Sequence, residues 1–287
     1  MIRYRLFKVT SLLSTLTSSY PSHYSTLSPS PTQFKIQNSQ PHLIVLGGSG
    51  FIGSHICQAA LSHGCKVTSL SRSGQPLLVE DWTSKINWQK VDLLNVSESV
   101  LINHFKGADG VISAVGGFGS FHFMEKINGD ATINAVYAAK KAGVRNFVFI
   151  SVHLYPEWVK LKGYFSGKRH AEYIISEIFS LEGSGTILRP SAVYGRRVMK
   201  IPMTDSVMTL PLHLVFMPLE KLTTTNLIQS IMNKPLIRLL MSPLLTPPVD
   251  VHSIAELAVR SAVEQRRQGI QILSVDDIRN VDKCIHS

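Results

Sequence analysis

No aspartate or glutamate occurs before Glu80. The first forty residues therefore hold only positive charge, from Arg3, Arg5, Lys8 and Lys35, and form no internal ion pair. Cysteine is also scarce. Cys57, Cys65 and Cys284 are odd in number and lack CxxC spacing, which excludes a disulfide framework and suits a reducing compartment. The 11 histidines show neither HExxH nor any other ligand spacing, so no metal site is expected. The formal net charge is +10, but beyond residue 40 there is no block of like charges and no aromatic-basic repeat, and a nucleic-acid partner is not expected. No internal repeat of fixed period is visible.

What the first forty residues do contain is serine, threonine and proline, a composition that cannot bury enough apolar surface to fold. In MIRYRLFK the basic residues interleave with Ile2, Tyr4, Leu6 and Phe7, as an import helix with one apolar and one positive face requires. A secretory signal fits worse, because no uninterrupted apolar core follows the charges. Residues 1–40 are therefore expected to be a transit segment. The early arginines favour the mitochondrion, and the serine richness keeps the plastid open.

From His42 short apolar runs alternate with amphipathic stretches. LIVLGG, KVTSLSR, INWQKVDL, GVISAVGG and NFVFISV read as strands, and SHICQAALSHG (Ser54 to Gly64) and ATINAVYAAKKAG (Ala131 to Gly143) as helices. Parallel neighbours need a crossover connection, so this alternation predicts a doubly wound α/β fold: a parallel sheet covered on both faces. That dinucleotide-binding core is expected over 41–198. Residues 199–248 are proline-punctuated and strongly apolar, with pieces too short to span a bilayer, and are read as a small C-terminal lobe for substrate or partner. Residues 249–287 return to the core, with a strand and helix in VDVHSIAELAVRSAVEQ and again in QILSVDDIRNV.

LIVLGGSGFIGSHI sets Gly47, Gly48, Gly50 and Gly53 between the first strand and the first helix. Glycine is required where the chain turns sharply, where backbone approaches a pyrophosphate, and where helix packs close on strand. The helix N-terminus then offers free N–H groups to phosphate. About twenty residues further on, where an acid would take the ribose of NAD, the chain has Ser71-Arg72-Ser73. A guanidinium and two hydroxyls suit a 2′-phosphate, so NADP(H) is expected over NAD(H), although an arginine there is also an ordinary exposed charge. Asp92, in VDLL after the third strand, is placed to meet the adenine or simply to cap a helix. In GYFSGKRHAE, Tyr164 and Lys168 stand one helical turn apart and share a face, so phenol and ammonium can converge on one ligand. Half-buried packing and a solvated lysine would give the same spacing.

With GGSGFIG, VDLL, VISAVGG, Asn128-x-x-Ala131-Thr132-x-Asn134, NFVFIS, Tyr164-x-x-x-Lys168 and LRPSAVYG in that order, the chain resembles the extended and atypical short-chain dehydrogenase/reductases over about residues 42–265. VGGFGS and GYFSGKRHAE look like one organellar branch, which includes plant mitochondrial and plastid NAD(P)-binding proteins, the Rossmann accessory subunit of respiratory complex I and a fungal coenzyme Q biosynthesis accessory protein. The resemblance implies that Tyr164 is the general acid/base and that Lys168 holds the nicotinamide ribose while lowering the tyrosine's pKa. It also implies that Gly47, Gly50, Phe51, Ile52, Gly53, Ser71, Arg72, Asp92 and Ala114 contact the cofactor. Asn128 matches the asparagine that begins the central helix.

The chain departs from the pattern at the third catalytic member, a Ser or Thr that polarises the substrate carbonyl. Ser151 ends the NFVFIS strand, but the usual position falls on Val152, and on a strand one residue is one face. Two functions compete. One is a cofactor-stabilised accessory or assembly module for a membrane-bound respiratory or quinone-biosynthetic complex. The other is an NADPH-dependent reductase of a hydrophobic carbonyl or quinone-like small molecule.

Overall fold

The protein is seen in a computed structural model that describes residues 40–153, 161–200, 207–211, 246–264 and 268–285. The expected transit segment and most of the 199–248 lobe lie outside the described residues.

The strands are β1 (His42–Leu46), β2 (Lys66–Ser71), β3 (Asn87–Lys90), β4 (Gly110–Ser113), β5 (Asn146–Ile150), β6 (Ser184–Leu188), β7 (Val193–Tyr194), β8 (Arg196–Lys200), β9 (Val207–Pro211), β10 (Val249–Asp250) and β11 (Gly269–Leu273). The helices are α1 (Phe51–Ser62), α2 (Glu98–Phe105), α3 (Phe121–Glu125), α4 (Ala131–Lys141), α5 (Lys162–Phe179), α6 (Val251–Val263) and α7 (Val275–Ile285). A seven-stranded sheet runs β11-β6-β5-β4-β1-β2-β3 with every pair parallel, so the expected doubly wound fold is present. Two small ribbons stand apart, β7 with β10 and the β8–β9 hairpin.

The reason β1 reads as a continuous apolar run is that both its faces are covered. Leu43 and Val45 pack into the layer of α1, α6 and α7, whereas Ile44 and Leu46 pack into the layer of α2, α4 and α5. The period of two thus divides one strand between two cores. Strand order reverses between β1 and β4, and ligands of open α/β sheets bind outside the strand ends at that reversal. Here Ala114 N–H donates to Leu46 O across it at 3.0 Å.

Two boundaries differ from the sequence reading. The first helix starts at Phe51, three residues earlier than expected, because Gly50 already has the extended backbone of an N-cap (φ −81°, ψ 174°). The central helix is preceded by a π-helical turn, Lys126–Asp130, joined directly to α3. At that turn α5 comes unusually close. A Cβ on Gly129 would lie 2.9 Å from Gly167 Cα, and one on Gly163 would lie 2.3 Å from Phe121 O. Gly163 and Gly167 are one helical turn apart, and their lack of side chains presses α5 against this segment, which turns the adjacent face of α5 toward the sheet.

Candidate functional site

The glycines of the first turn have different duties. Gly47 has φ +81°, the left-handed region, and donates its N–H to Leu70 O at 2.8 Å. A Cβ on Gly53 would fall 2.1 Å from Gly47 O, so this residue lets α1 pack on the turn. A Cβ on Gly48 would fall 2.3 Å from Ser69 Oγ beneath the turn. Around Gly50 the only neighbour among the described residues is Gly47 O at 3.2 Å, so within them its space lies open above the first turn of α1. That turn, opening with Phe51 and Ile52, holds no acidic residue and no side-chain cap. Such a cradle fits a pyrophosphate, because open backbone and unused N–H groups face one region.

At the end of β2, Ser71 is buried and its Oγ accepts from Gly74 N at 3.2 Å and pairs with Ser73 Oγ at 3.3 Å. Both hydroxyls shape the turn that leaves Arg72 exposed. A free guanidinium at this edge is what a 2′-phosphate needs. Asp92 caps its own turn: Oδ1 accepts from Leu94 N at 3.1 Å and Oδ2 from Asn95 Nδ2 at 2.8 Å. Its carboxylate holds the turn that leaves β3 and caps no helix, since α2 begins only at Glu98 behind Ser97.

The asparagine-threonine motif becomes intelligible as a clamp. Asn128, fully buried in the π turn, donates to Gly117 O at 2.8 Å and Met124 O at 2.7 Å and accepts from Gly117 N at 3.2 Å. Thr132 Oγ1 pairs with Ser113 Oγ at 2.9 Å, and Asn134 Nδ2 donates to Leu93 O at 2.9 Å. One helical segment thereby ties the loops after β3 and β4, with Ala114 beside the glycine turn. A Cβ on Gly47 would meet Ala114 O at 3.3 Å.

Tyr164 and Lys168 do share a face of α5, with Lys168 Nζ 6.0 Å from the Tyr164 ring centre. Lys168 is only 3% exposed. Its ammonium donates to Val115 O at 3.0 Å and Ile150 O at 2.8 Å and lies 4.6 Å over the Phe149 ring. It therefore bridges the loop after β4 and the end of β5 and is not a solvated end. Burial lowers its pKa to about 7, with Glu172 opposing and Arg169 adding to the shift. An unfolded lysine titrates near 10.4, so between about pH 7 and 10 the unfolded chain holds a proton that the folded chain lacks. For this group, stability rises with pH across that window and falls back as pH drops toward 7. Urea unfolding of the wild type and Lys168→Met should show the wild type gaining on the variant from pH 7 to 10, by on the order of a few kcal/mol. A pH-independent difference would mean that the ammonium is not desolvated.

Sequence reasoning missed what holds Ser151. Its Oγ donates to Glu172 Oε1 at 2.5 Å, and both residues are buried. Glu172 also accepts from Arg169 Nη1, from Arg189 Nε at 3.1 Å and from Arg189 Nη2 at 2.6 Å. Arg169 Nη2 continues to Val152 O at 2.7 Å and His153 O at 3.2 Å. The signal was present, since Glu172 lies four residues after Lys168 and so extends the Tyr164–Lys168 face by another turn. Val152 is buried and has no hydroxyl to offer.

A family model described as NAD(P)H-binding matches residues 47–201. An uncharacterised chloroplastic protein of Arabidopsis thaliana is 41% identical over 229 residues, which is 77% of this chain and 71% of that protein. MIOREX complex component 2 of Saccharomyces cerevisiae is 41% identical over only 58 residues, 18% of this chain and 21% of that protein. Among solved structures, UDP-glucuronic acid 4-epimerase of Bacillus cereus in complex with NAD superposes with a TM-score of 0.55 at 19% identity, over 82% of this chain and 76% of the other. The Bordetella bronchiseptica enzyme WbmG in complex with NAD gives a TM-score of 0.55 at 15% identity, over 88% and 81%. At such identities these two share the fold alone. The family model spans more than half of the chain and the plant relative is alike over most of it, so the chain belongs to the NAD(P)H-binding family.

Proposed function

We propose that this chain is an organellar NADP(H)-binding protein whose bound cofactor stabilises it for an accessory or assembly role in a membrane-bound respiratory or quinone-biosynthetic complex. The carrying observation is the bond from Ser151 Oγ to Glu172, which commits that hydroxyl's proton to a buried ionic cluster beside a Val152 that has no hydroxyl. A bound cofactor is supported, by contrast, by the open space at Gly50, the exposed Arg72 and the buried Lys168. Glycine turn, arginine and lysine suffice for a bound dinucleotide, whereas carbonyl reduction also needs a group that polarises the carbonyl. The serine-rich basic leader and the chloroplastic Arabidopsis relative both favour an organelle. That relative weighs toward the plastid and Arg3 and Arg5 toward the mitochondrion.

A second reading, an NADPH-dependent reductase of a hydrophobic carbonyl or quinone, is favoured by Tyr164 and Lys168 sharing one face. Titration and turnover together separate the two. NADPH should bind better than NADH, and Arg72→Asp should erase or invert that preference, roughly a tenfold to hundredfold change for a charge-assisted contact. Equal affinities in the parent would sink the NADP(H) assignment. Tyr164→Phe should leave function in cells intact if the protein is an accessory. A fall in NADPH oxidation of about 10²-fold, at unchanged cofactor affinity, would instead establish the reductase.

A further inference from the structure

Three phenylalanines stand exposed within six residues of the loop that follows β4 and the start of α3: Phe118 at 68%, Phe121 at 46% and Phe123 at 39%. Large exposed apolar groups at a ligand crevice are unusual enough to ask what covers them. Phe118 differs from the other two in its geometry. Its ring lies parallel to that of Tyr164, with centres 5.0 Å apart and planes 10° from coincidence. Tyr164 meets Phe165 edge-on at 5.5 Å and 89°, which fixes the plane of the stack.

The loop carrying Phe118 is glycine-rich, yet it is held on both sides. Asn128 bonds both the N–H and the carbonyl of Gly117. Gly119 lies under Phe123, where an added Cβ would come within 2.9 Å of Cδ1. Phe118 is thus presented flat, with one face on Tyr164 and most of its surface in water. Lys168 Nζ lies 6.0 Å from the centre of the Tyr164 ring, so Tyr164 is backed on the helix side while Phe118 covers its other face.

We propose that Phe118 is a specificity-determining residue: its outer face, turned away from Tyr164, is a stacking platform for a planar aromatic ring. An aliphatic chain would gain from the same buried area but not from the parallel faces, and aromatic pairs add stabilisation beyond area. The inference deepens the proposed function by naming a ligand class for the Tyr164 side of the crevice, and it rests on that reading only in taking this side as the ligand side. It requires no turnover.

The test uses the full chain, with and without NADP⁺, and the probe pair 1-naphthol and decahydro-1-naphthol followed by calorimetry. The aromatic probe should bind at least about fivefold more tightly than its saturated counterpart. Phe118→Leu should remove that difference, Phe118→Trp should restore it, and NADP⁺ affinity should not change in either variant. Equal affinity for the two probes, or no binding of 1-naphthol while NADP⁺ still binds, overturns the inference and leaves the cofactor reading standing. Loss of NADP⁺ binding with a Phe118-dependent naphthol preference retained does the reverse. If 1-naphthol fails to bind and the triple change of Phe118, Phe121 and Phe123 to serine instead abolishes co-sedimentation with phosphatidylcholine–cardiolipin vesicles, the patch meets lipid and the inference is overturned.

Discussion

Glu172→Ala is expected to cost roughly 2–4 kcal/mol of unfolding free energy, the range for breaking a buried ion pair, discounted because both arginines keep some contact with water. The side chain of Glu172 is 7% exposed, against 28% for Arg169 and 24% for Arg189. Removing the carboxylate takes a charge-assisted bond from each of the two guanidiniums and from the Ser151 hydroxyl, although Arg169 keeps Val152 O and His153 O as acceptors. Glu172→Gln keeps one acceptor oxygen and should cost about half as much. Ser151→Ala should cost only about 1 kcal/mol, since one neutral hydroxyl is deleted together with its need for a partner. Urea denaturation of the three variants would establish the order. A Glu172→Ala loss below about 1 kcal/mol would show that the cluster is effectively solvated and that Ser151 is not firmly held. The Ser151→Ala, Glu172→Ala cycle isolates the coupling between the two residues, which is what the accessory reading depends on.

The glycine turn should respond very differently at two positions three residues apart in the same motif. Gly53→Ala places a methyl 2.1 Å from Gly47 O, 2.7 Å from Gly47 C and 2.9 Å from Gly48 Cα. All three atoms are backbone, so no rotamer change relieves the overlap, and α1 must move away from β1. The expected loss is about 3 kcal/mol, the upper end for overpacking, and it comes with loss of NADPH binding because the phosphate cradle opens. Gly50→Ala meets, among the described residues, only Gly47 O at 3.2 Å, so the apoprotein should unfold within about 0.5–1 kcal/mol of wild type. Its methyl would occupy the space where a pyrophosphate approaches, and NADPH affinity should fall at least about tenfold. Thermal unfolding with and without NADPH reads both quantities, since a ligand raises the melting temperature only of a variant that binds it. A Gly50→Ala protein that keeps its full NADPH-induced shift would place the pyrophosphate elsewhere.

Much of this architecture was legible in the linear chain. The alternation of apolar runs with amphipathic stretches specified a parallel sheet because parallel strands need crossovers and bury both faces, and β1, β2, β4 and β5 lie where those runs are. Gly47, Gly50 and Gly53 were identifiable as a tight turn between strand and helix, and Gly47 indeed has φ +81° there. The Tyr164–Lys168 face followed from the helical period alone.

Tertiary structure decided which of the four glycines faces open space and which faces backbone, since that depends on the distance between α1 and the turn. It also decided that Asp92 is spent on its own turn and that Lys168 is a buried bridge between the loop after β4 and the end of β5, because the partners are carbonyls and amides that carry no sequence signature. The π turn was invisible for a similar reason: Asn128 has nothing in its helical propensity to require it, and its bonds to Gly117 exist only once α3 and the loop after β4 have met. Most of all, Arg169 and Glu172 are a helical i,i+3 pair on α5, but Ser151 and Arg189 follow β5 and β6, and only the packing of that helix across those strands brings the same carboxylate within reach of the second guanidinium and the hydroxyl. Periodicity reports which face a residue occupies, but not which face of another element lies opposite. The choice between a working hydroxyl and a withheld one is therefore made in three dimensions.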